Sequence, residues 1–245
     1  DACVKSPLNK VFFCEVIGTK GDMIDTLFAD FKDRLNIAKK YKSANFIPAI
    51  AIHSPYSVHP FLVRETLKLT REENLPVTSH FLESREEFEW LHKDEGAFVE
   101  FFKNFLGQEQ SVTKPMEFLN LFSNIKNLSF THCVEASSAD FDKIKLLGAS
   151  VNHCVTSNRL LNNTKLDLEK LKDIPFTIGT DGLSSNNSLS MFDELRNVLM
   201  THYDKNVLEF SNVLLKAATI NGSRALGLNK GSLAEGLDAD IIALT

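Results

Sequence analysis

No run of the sequence approaches the roughly 20 apolar residues that a membrane-spanning helix needs. No cluster of lysine and arginine stands out, and the net charge is -5. Nucleic acid and anionic membrane are therefore poor partners for this chain. Cysteine is scarce: Cys3, Cys14, Cys133 and Cys154 are all there is, and none forms a Cys-x-x-Cys pair. Such thiols are expected to be reduced, as in a cytoplasmic protein. No glycine-rich loop follows the first strand-like run, which argues against a dinucleotide-binding sheet. What remains is an ordinary globular composition, 43% hydrophobic and 24% charged. That is enough for one large core or two modest ones.

Strand-like and helix-like runs alternate. Apolar, β-branched runs predict strands over Val11–Gly18, Phe46–Ile52, Pro76–Phe81, Leu128–Thr131, Ala149–Val155 and Phe176 to Asp181. Helical periodicity predicts Asp25–Tyr41, Pro60–Asn74, Arg85–Leu106, Lys114–Phe122, Leu166–Lys172, Ser190–His202 and Ser211–Leu226. Pro60 is tolerated in a first turn. Ser137-x-x-Asp140 predicts a cap that opens a further helix, closed by Gly148. Gly231–Thr245 reads as a turn followed by a strand. This order predicts an α/β fold with a parallel sheet, and a (β/α)-barrel fits it better than a doubly wound sheet.

Polar residues gather at the carboxyl ends of these strands: His53, His80, His132, His153 and Asp181. In α/β barrels that edge is the reactive one. Burying a lone carboxylate costs several kcal/mol unless it is paired or binds a metal. Imidazole with carboxylate suits zinc or iron. His80 is the first ligand candidate and Asp181 the second. Glu83, three residues beyond His80, is placed to move a proton on a metal-bound water, and His132 to orient that water. The plain alternatives are packed imidazoles and helix caps, and His59, His92 and His202 are read that way. Ser184, Ser185 and Asn186 also fit as loop formers, and Cys133 and Cys154 as packing residues.

His53-Ser54-Pro55-Tyr56, His80-Phe81-Leu82-Glu83-Ser84, Thr131-His132-Cys133 and the run from Gly179 to Leu189 resemble the amidohydrolase superfamily. The nearest branch is the deaminases of methylthioadenosine and S-adenosylhomocysteine. Within it, Ala51 to His59 with Ser157-Asn158-Arg159-Leu160-Leu161 is most similar to the 6-aminofutalosine deaminases of menaquinone biosynthesis. The resemblance implies a (β/α)8 TIM-type barrel and one divalent metal, zinc or iron. It implies a small-molecule nucleoside substrate deaminated by water, and leaves a homodimer open. It implies His80 and Asp181 as metal ligands, Glu83 as proton shuttle, and His132 as a holder of the metal or the attacking hydroxide. His53 and Ser185 would contact substrate. Arg159, expected in the loop after the Ala149–Val155 strand, would pair with the benzoate carboxylate of aminofutalosine or else be a solvated loop arginine. Alternatives on the same scaffold are a methylthioadenosine, S-adenosylhomocysteine or adenosine deaminase, or a triazine-type chlorohydrolase. A metal-free relative without catalysis, or an inactive fragment, is the alternative from another class.

The sequence departs from that family at one point: no His-x-His pair occurs among its seven histidines. With the Asp181 strand counted as the eighth, the chain opens near the third strand, so the first two are expected to be missing. The expectation is a piece of a longer polypeptide that by itself holds metal weakly. Residues 1–230 would form the partial barrel and residues 231–245 the start of a small β-domain segment.

Overall fold

The computed structural model describes residues 2–243. Six parallel strands lie side by side in chain order: β1 (Lys10–Val16), β2 (Phe46–Ile52), β3 (Val77–Phe81), β4 (Leu128–His132), β5 (Ser150–His153) and β6 (Phe176–Ile178). Helices fill the connections, as parallel neighbours require. This is the barrel-like sheet expected from the alternation, with β1 and β6 at its two ends.

The strand register explains where the core and the polar groups go. Glu15 pairs with Ala51, Ala51 with Thr78, His80 with Thr131, Thr131 with Asn152, and Asn152 with Thr177. Residues opposite one another in register share a face. One face from β3 to β6 is therefore polar. Ser129 Oγ donates to Thr78 Oγ1 at 3.0 Å, and Thr177 donates to Asn152. The other face carries Val16, Ile50, Ile52, Val77, Phe81, Phe130 and Val151, all buried. They pack in one cluster with Phe31, Leu35, Leu62, Leu67 and Trp90 from the surrounding helices.

The helices start where local caps dictate. α1 is Ile24–Lys40. α2 (Pro60–Glu73) begins with Pro60 and ends at Asn74 in the left-handed region. The stretch predicted as one helix from Arg85 to Leu106 is two: α3 (Arg85–Lys93) and α4 (Ala97–Leu106). Asp94 (φ 56°) and Gly96 (φ 87°) break it. Asp94 is held there because its carboxylate accepts from Ser111 N–H at 2.7 Å and from Lys114 Nζ at 2.8 Å. α5 is Pro115–Asn120. α6 (Ser138–Leu146) carries the expected Ser137/Asp140 box.

Three further expectations need correction. The strand over Ala149–Val155 stops at His153, and a short helix α7 (Val155–Leu160) takes the place of a loop. α8 (Met191–Thr201) is as expected, but α9 (Val207–Lys216) starts four residues before Ser211, because the Asn206 side chain caps Leu208 and Glu209 N–H. No strand forms between Gly231 and Ala243; Ile241 and Ile242 are exposed, and the rest of that predicted strand lies outside the described residues. No helix among the described residues is long and apolar enough to cross a membrane.

His153 and His202 tie the end of β5 to the end of α8. Their Nε2 atoms are 3.1 Å apart, both rings are buried, and His153 Nδ1 has no protein partner. Burial, with the neighbouring imidazole, pushes His153 down to about 3; burial, with nearby Lys165, pushes His202 down to about 4. Unfolded imidazoles bind protons below about pH 6.5, which the folded rings refuse until those lower values. The unfolded state then holds more protons, so stability falls as pH drops from about 6.5 towards 4. Urea midpoints across that window should show this slope, and His202→Gln should flatten it; an unchanged slope in the variant would contradict the assignment.

Candidate functional site

The turns that leave β3, β4 and β6 place non-glycine residues in the left-handed region: Leu82 (φ 46°), His132 (72°), Cys133 (55°) and Asp181 (59°). Each such residue costs about 1–3 kcal/mol unless its surroundings hold it. Here they do. Cys133 N–H donates to Phe81 O at 2.9 Å, and Glu135 N–H to Leu82 O at 3.0 Å. The effect is to swing three side chains inward over the same strand ends.

His132 Nε2 lies 3.4 Å from Glu83 Oε1 and 3.9 Å from Asp181 Oδ2. One donor atom from each of Glu83, His132 and Asp181 falls within 4.8 Å of the others, so one cation could bridge them. His80 stands beside this trio. Its ring stacks on that of His132 at 5.4 Å and lies 5.2 Å from that of His53.

The hydrogen bonds fix the imidazoles. His132 Nδ1 is 2.8 Å from Asn158 Oδ1, and His80 Nδ1 donates to His53 O at 2.7 Å. In its neutral form each ring would thereby carry the proton on Nδ1 and keep the Nε2 lone pair free, the arrangement that ligating histidines use. Burial lowers the His132 pKa and His80 adds to it, against the opposing carboxylates Glu83 and Asp181. Burial and then His80 push His53 down to about 4. Its Nδ1 sits 2.5 Å from Ser57 Oγ.

Asp181 is only partly buried. Burial works against its charge, but bonds from Ser157 Oγ (2.7 Å) and Gly182 N–H (2.6 Å), with the imidazoles of His132 and His80, outweigh it. Its carboxyl is held below the usual range. Ser157 Oγ is in turn 2.9 Å from Ser185 Oγ.

Two buried glutamates stand behind these groups. Glu194 of α8 accepts from Thr156 N–H at 3.0 Å, from the Thr156 hydroxyl at 2.6 Å and from Asn186 Nδ2 at 3.2 Å. It thus caps α7 from another helix and joins the Ser157 turn to the Asp181 loop. Glu87 of α3 accepts from Leu82 N–H (3.1 Å) and Glu83 N–H (2.8 Å). Burial pushes its carboxyl up to about 8 despite those bonds. Neither glutamate stands out in the sequence. Ser84-x-x-Glu87 carries the capping-box pattern, but nothing local reveals Glu194.

Of the predicted site residues, Glu83, His132 and Asp181 converge, with His80 and His53 adjacent. Ser185 is buried against Ser157. Arg159 is exposed on α7, where a loop was expected. His53 also borders an apolar hollow of about 380 Å³ with Leu27, Tyr56, Phe101 and Phe105.

Residues 18–245 match the model of the amidohydrolase family. The chain belongs to that family. It is 44% identical over 240 residues to aminodeoxyfutalosine deaminase of Nitratiruptor sp., covering 98% of this chain and 59% of the relative. It is 35% identical to adenosine deaminase of Helicobacter pylori, covering 97% and 59%. A crystal structure of Helicobacter pylori aminofutalosine deaminase with methylthio-coformycin superposes with a TM-score of 0.92 at 32% identity, again over 98% of this chain and 59% of that one. This amidohydrolase chain therefore spans about three-fifths of the length of these relatives.

Asn158 is expected to decide the His132 tautomer. Asn158→Leu should turn the single Nδ1–H form into a mixture, read from the ring-nitrogen shifts of the labelled protein; an unchanged spectrum would contradict this.

Proposed function

We propose that this amidohydrolase chain is the catalytic part of a hydrolytic deaminase that removes the amino group from the adenine ring of a modified nucleoside, with 6-aminofutalosine as its preferred substrate. The observation that carries the reading is Glu83 and Asp181 lying 3.4 and 3.9 Å from the same His132 nitrogen. The 44% identity to an aminodeoxyfutalosine deaminase supports the substrate.

His80 and Asp181 would hold one divalent ion, zinc or iron, for which imidazole and carboxylate are fitting donors. Such an ion, when bound, lowers the pKa of water towards neutrality. Asp181, ionised at neutral pH, takes the proton of the water that attacks the aminated carbon. His132 orients that water. Glu83 gives a proton to the adjacent ring nitrogen as the C–O bond forms. The C–N bond then breaks as the amine takes the proton held on Asp181 and leaves as ammonia, while the new hydroxyl returns a proton to Glu83 as the carbonyl forms. His53 and Ser185 line the nucleoside side, and Arg159 pairs with the distal carboxylate. Residues up to 230 would form the barrel part; among the described residues no strand after Gly231 supports a second, small β-domain. The unpaired thiols fit a cytoplasmic setting.

The second reading is a relative that kept the fold without the chemistry. Ammonia release decides between them. The full chain, offered aminofutalosine, methylthioadenosine, S-adenosylhomocysteine, adenosine and a chlorinated triazine, should favour aminofutalosine. Glu83→Gln should lower kcat by ~10²–10⁴-fold, the usual share of a general acid. Turnover of none of the panel by a metal-loaded chain would overturn the proposal. Arg159→Ala should lower kcat/KM for aminofutalosine and spare methylthioadenosine; equal effects on both would remove Arg159 from the distal site.

A further inference from the structure

α3 opens with Ser84, whose hydroxyl accepts from Glu87 N–H at 3.2 Å. In a capping box the residue at Glu87's position reaches back to the N–H of the capping residue itself. Two other helices of this chain do that. Asp140 Oδ2 accepts from Ser137 N–H at 2.9 Å, and Glu117 Oε2 from Lys114 N–H at 3.2 Å. Glu87 passes Ser84 by and reaches further, to Glu83 N–H at 2.8 Å and Leu82 N–H at 3.1 Å.

That difference has a geometric reason. Leu82 takes a left-handed φ of 46°, which turns its N–H and that of Glu83 to the same side. These two donors would otherwise be buried without partners, since Leu82 is fully buried and Glu83 largely so. The Glu87 side chain is itself 1% exposed and has no solvent to satisfy it. The carbonyl of Leu82 is taken by Glu135 N–H at 3.0 Å. The turn is therefore clamped from both sides, by a helix behind it and by the β4 turn that carries His132.

We propose that Glu87 is a positioning residue: by accepting the N–H groups of Leu82 and Glu83 it holds the Glu83 carboxylate 3.4 Å from His132 Nε2, where a proton can be handed to a bound ring. This rests on the deaminase reading for its catalytic consequence. The clamp itself does not. Glutamine at this position keeps the shape but offers one oxygen and an amide N–H₂, which faces a backbone donor. Aspartate keeps the carboxyl group and loses one methylene of reach. Either leaves Glu83 chemically intact and free to drift.

The test uses the metal-loaded full chain and the nucleoside it deaminates best. Glu87→Gln should lower kcat by ~10–100-fold with KM within about threefold, the pattern of a misplaced rather than a missing group. Glu87→Asp should show the same split, and Glu117→Gln, which loses only an ordinary cap, should leave kcat at wild type. Added to Glu83→Gln, Glu87→Gln should cost nothing further, because the residue through which it acts is already gone. Metal content should not change. Wild-type kcat in Glu87→Gln, or a double variant that loses the product of both single effects, overturns the proposal. Amide hydrogen exchange gives a second arm that needs no turnover: Glu87→Gln should lose protection at Leu82 and Glu83. If the wild type deaminates no nucleoside, the functional reading fails on its own, and unchanged protection at those two amides would still overturn the clamp.

Discussion

Glu83, His132 and Asp181 meet only because the chain leaves three parallel strands through turns that L-residues avoid. Left-handed angles at Leu82, His132 and Asp181 aim their neighbourhoods at one point, and each carries a local cost that other contacts must offset. The offsetting contacts are specific. Glu87 takes the donors of the β3 turn, Phe81 and Leu82 carbonyls take those of the β4 turn, and Ser157 with Gly182 fixes the Asp181 carboxylate. The site is thus a set of strained turns locked by buried hydrogen bonds, which cost most when left unmade.

The sheet beneath explains why such turns can be built there. Its helix-covered face is apolar and holds most of the core, while the face below the cluster carries Thr78, Ser129, Thr131, Asn152 and Thr177 bonded across strands. A polar floor tolerates imidazoles and carboxylates that an apolar one would desolvate. The same logic appears at the helix ends. α7 has no local side-chain cap, and its Thr156 N–H is served by Glu194 from α8, which also grips the loop after β6. One buried carboxylate therefore couples the turns bearing Ser157 and Asp181.

Much of this was legible in the residues. Strand-ending His53, His80, His132 and Asp181 marked the reactive edge, and Ser137/Asp140 and Pro60 marked helix starts. The misses share a cause. The Arg85–Leu106 helix breaks because Asp94 bonds to Ser111 and Lys114, residues beyond its own turn. The loop expected around Arg159 is helical, with its Thr156 N–H capped by Glu194 from α8. The C-terminal alternation has no described partner strand, so Ile241 and Ile242 stay exposed.

The sequence alone determined the alternation of strands and helices, the family, and the residue types offered at the carboxyl edge, because periodicity and caps are written within a turn or two of chain. Tertiary structure decided which of those residues touch. The tautomer of His132, the grip of Ser157 on Asp181 and the reach of Glu87 depend on strand register and loop angles between residues far apart in the chain, and no local pattern encodes that sum.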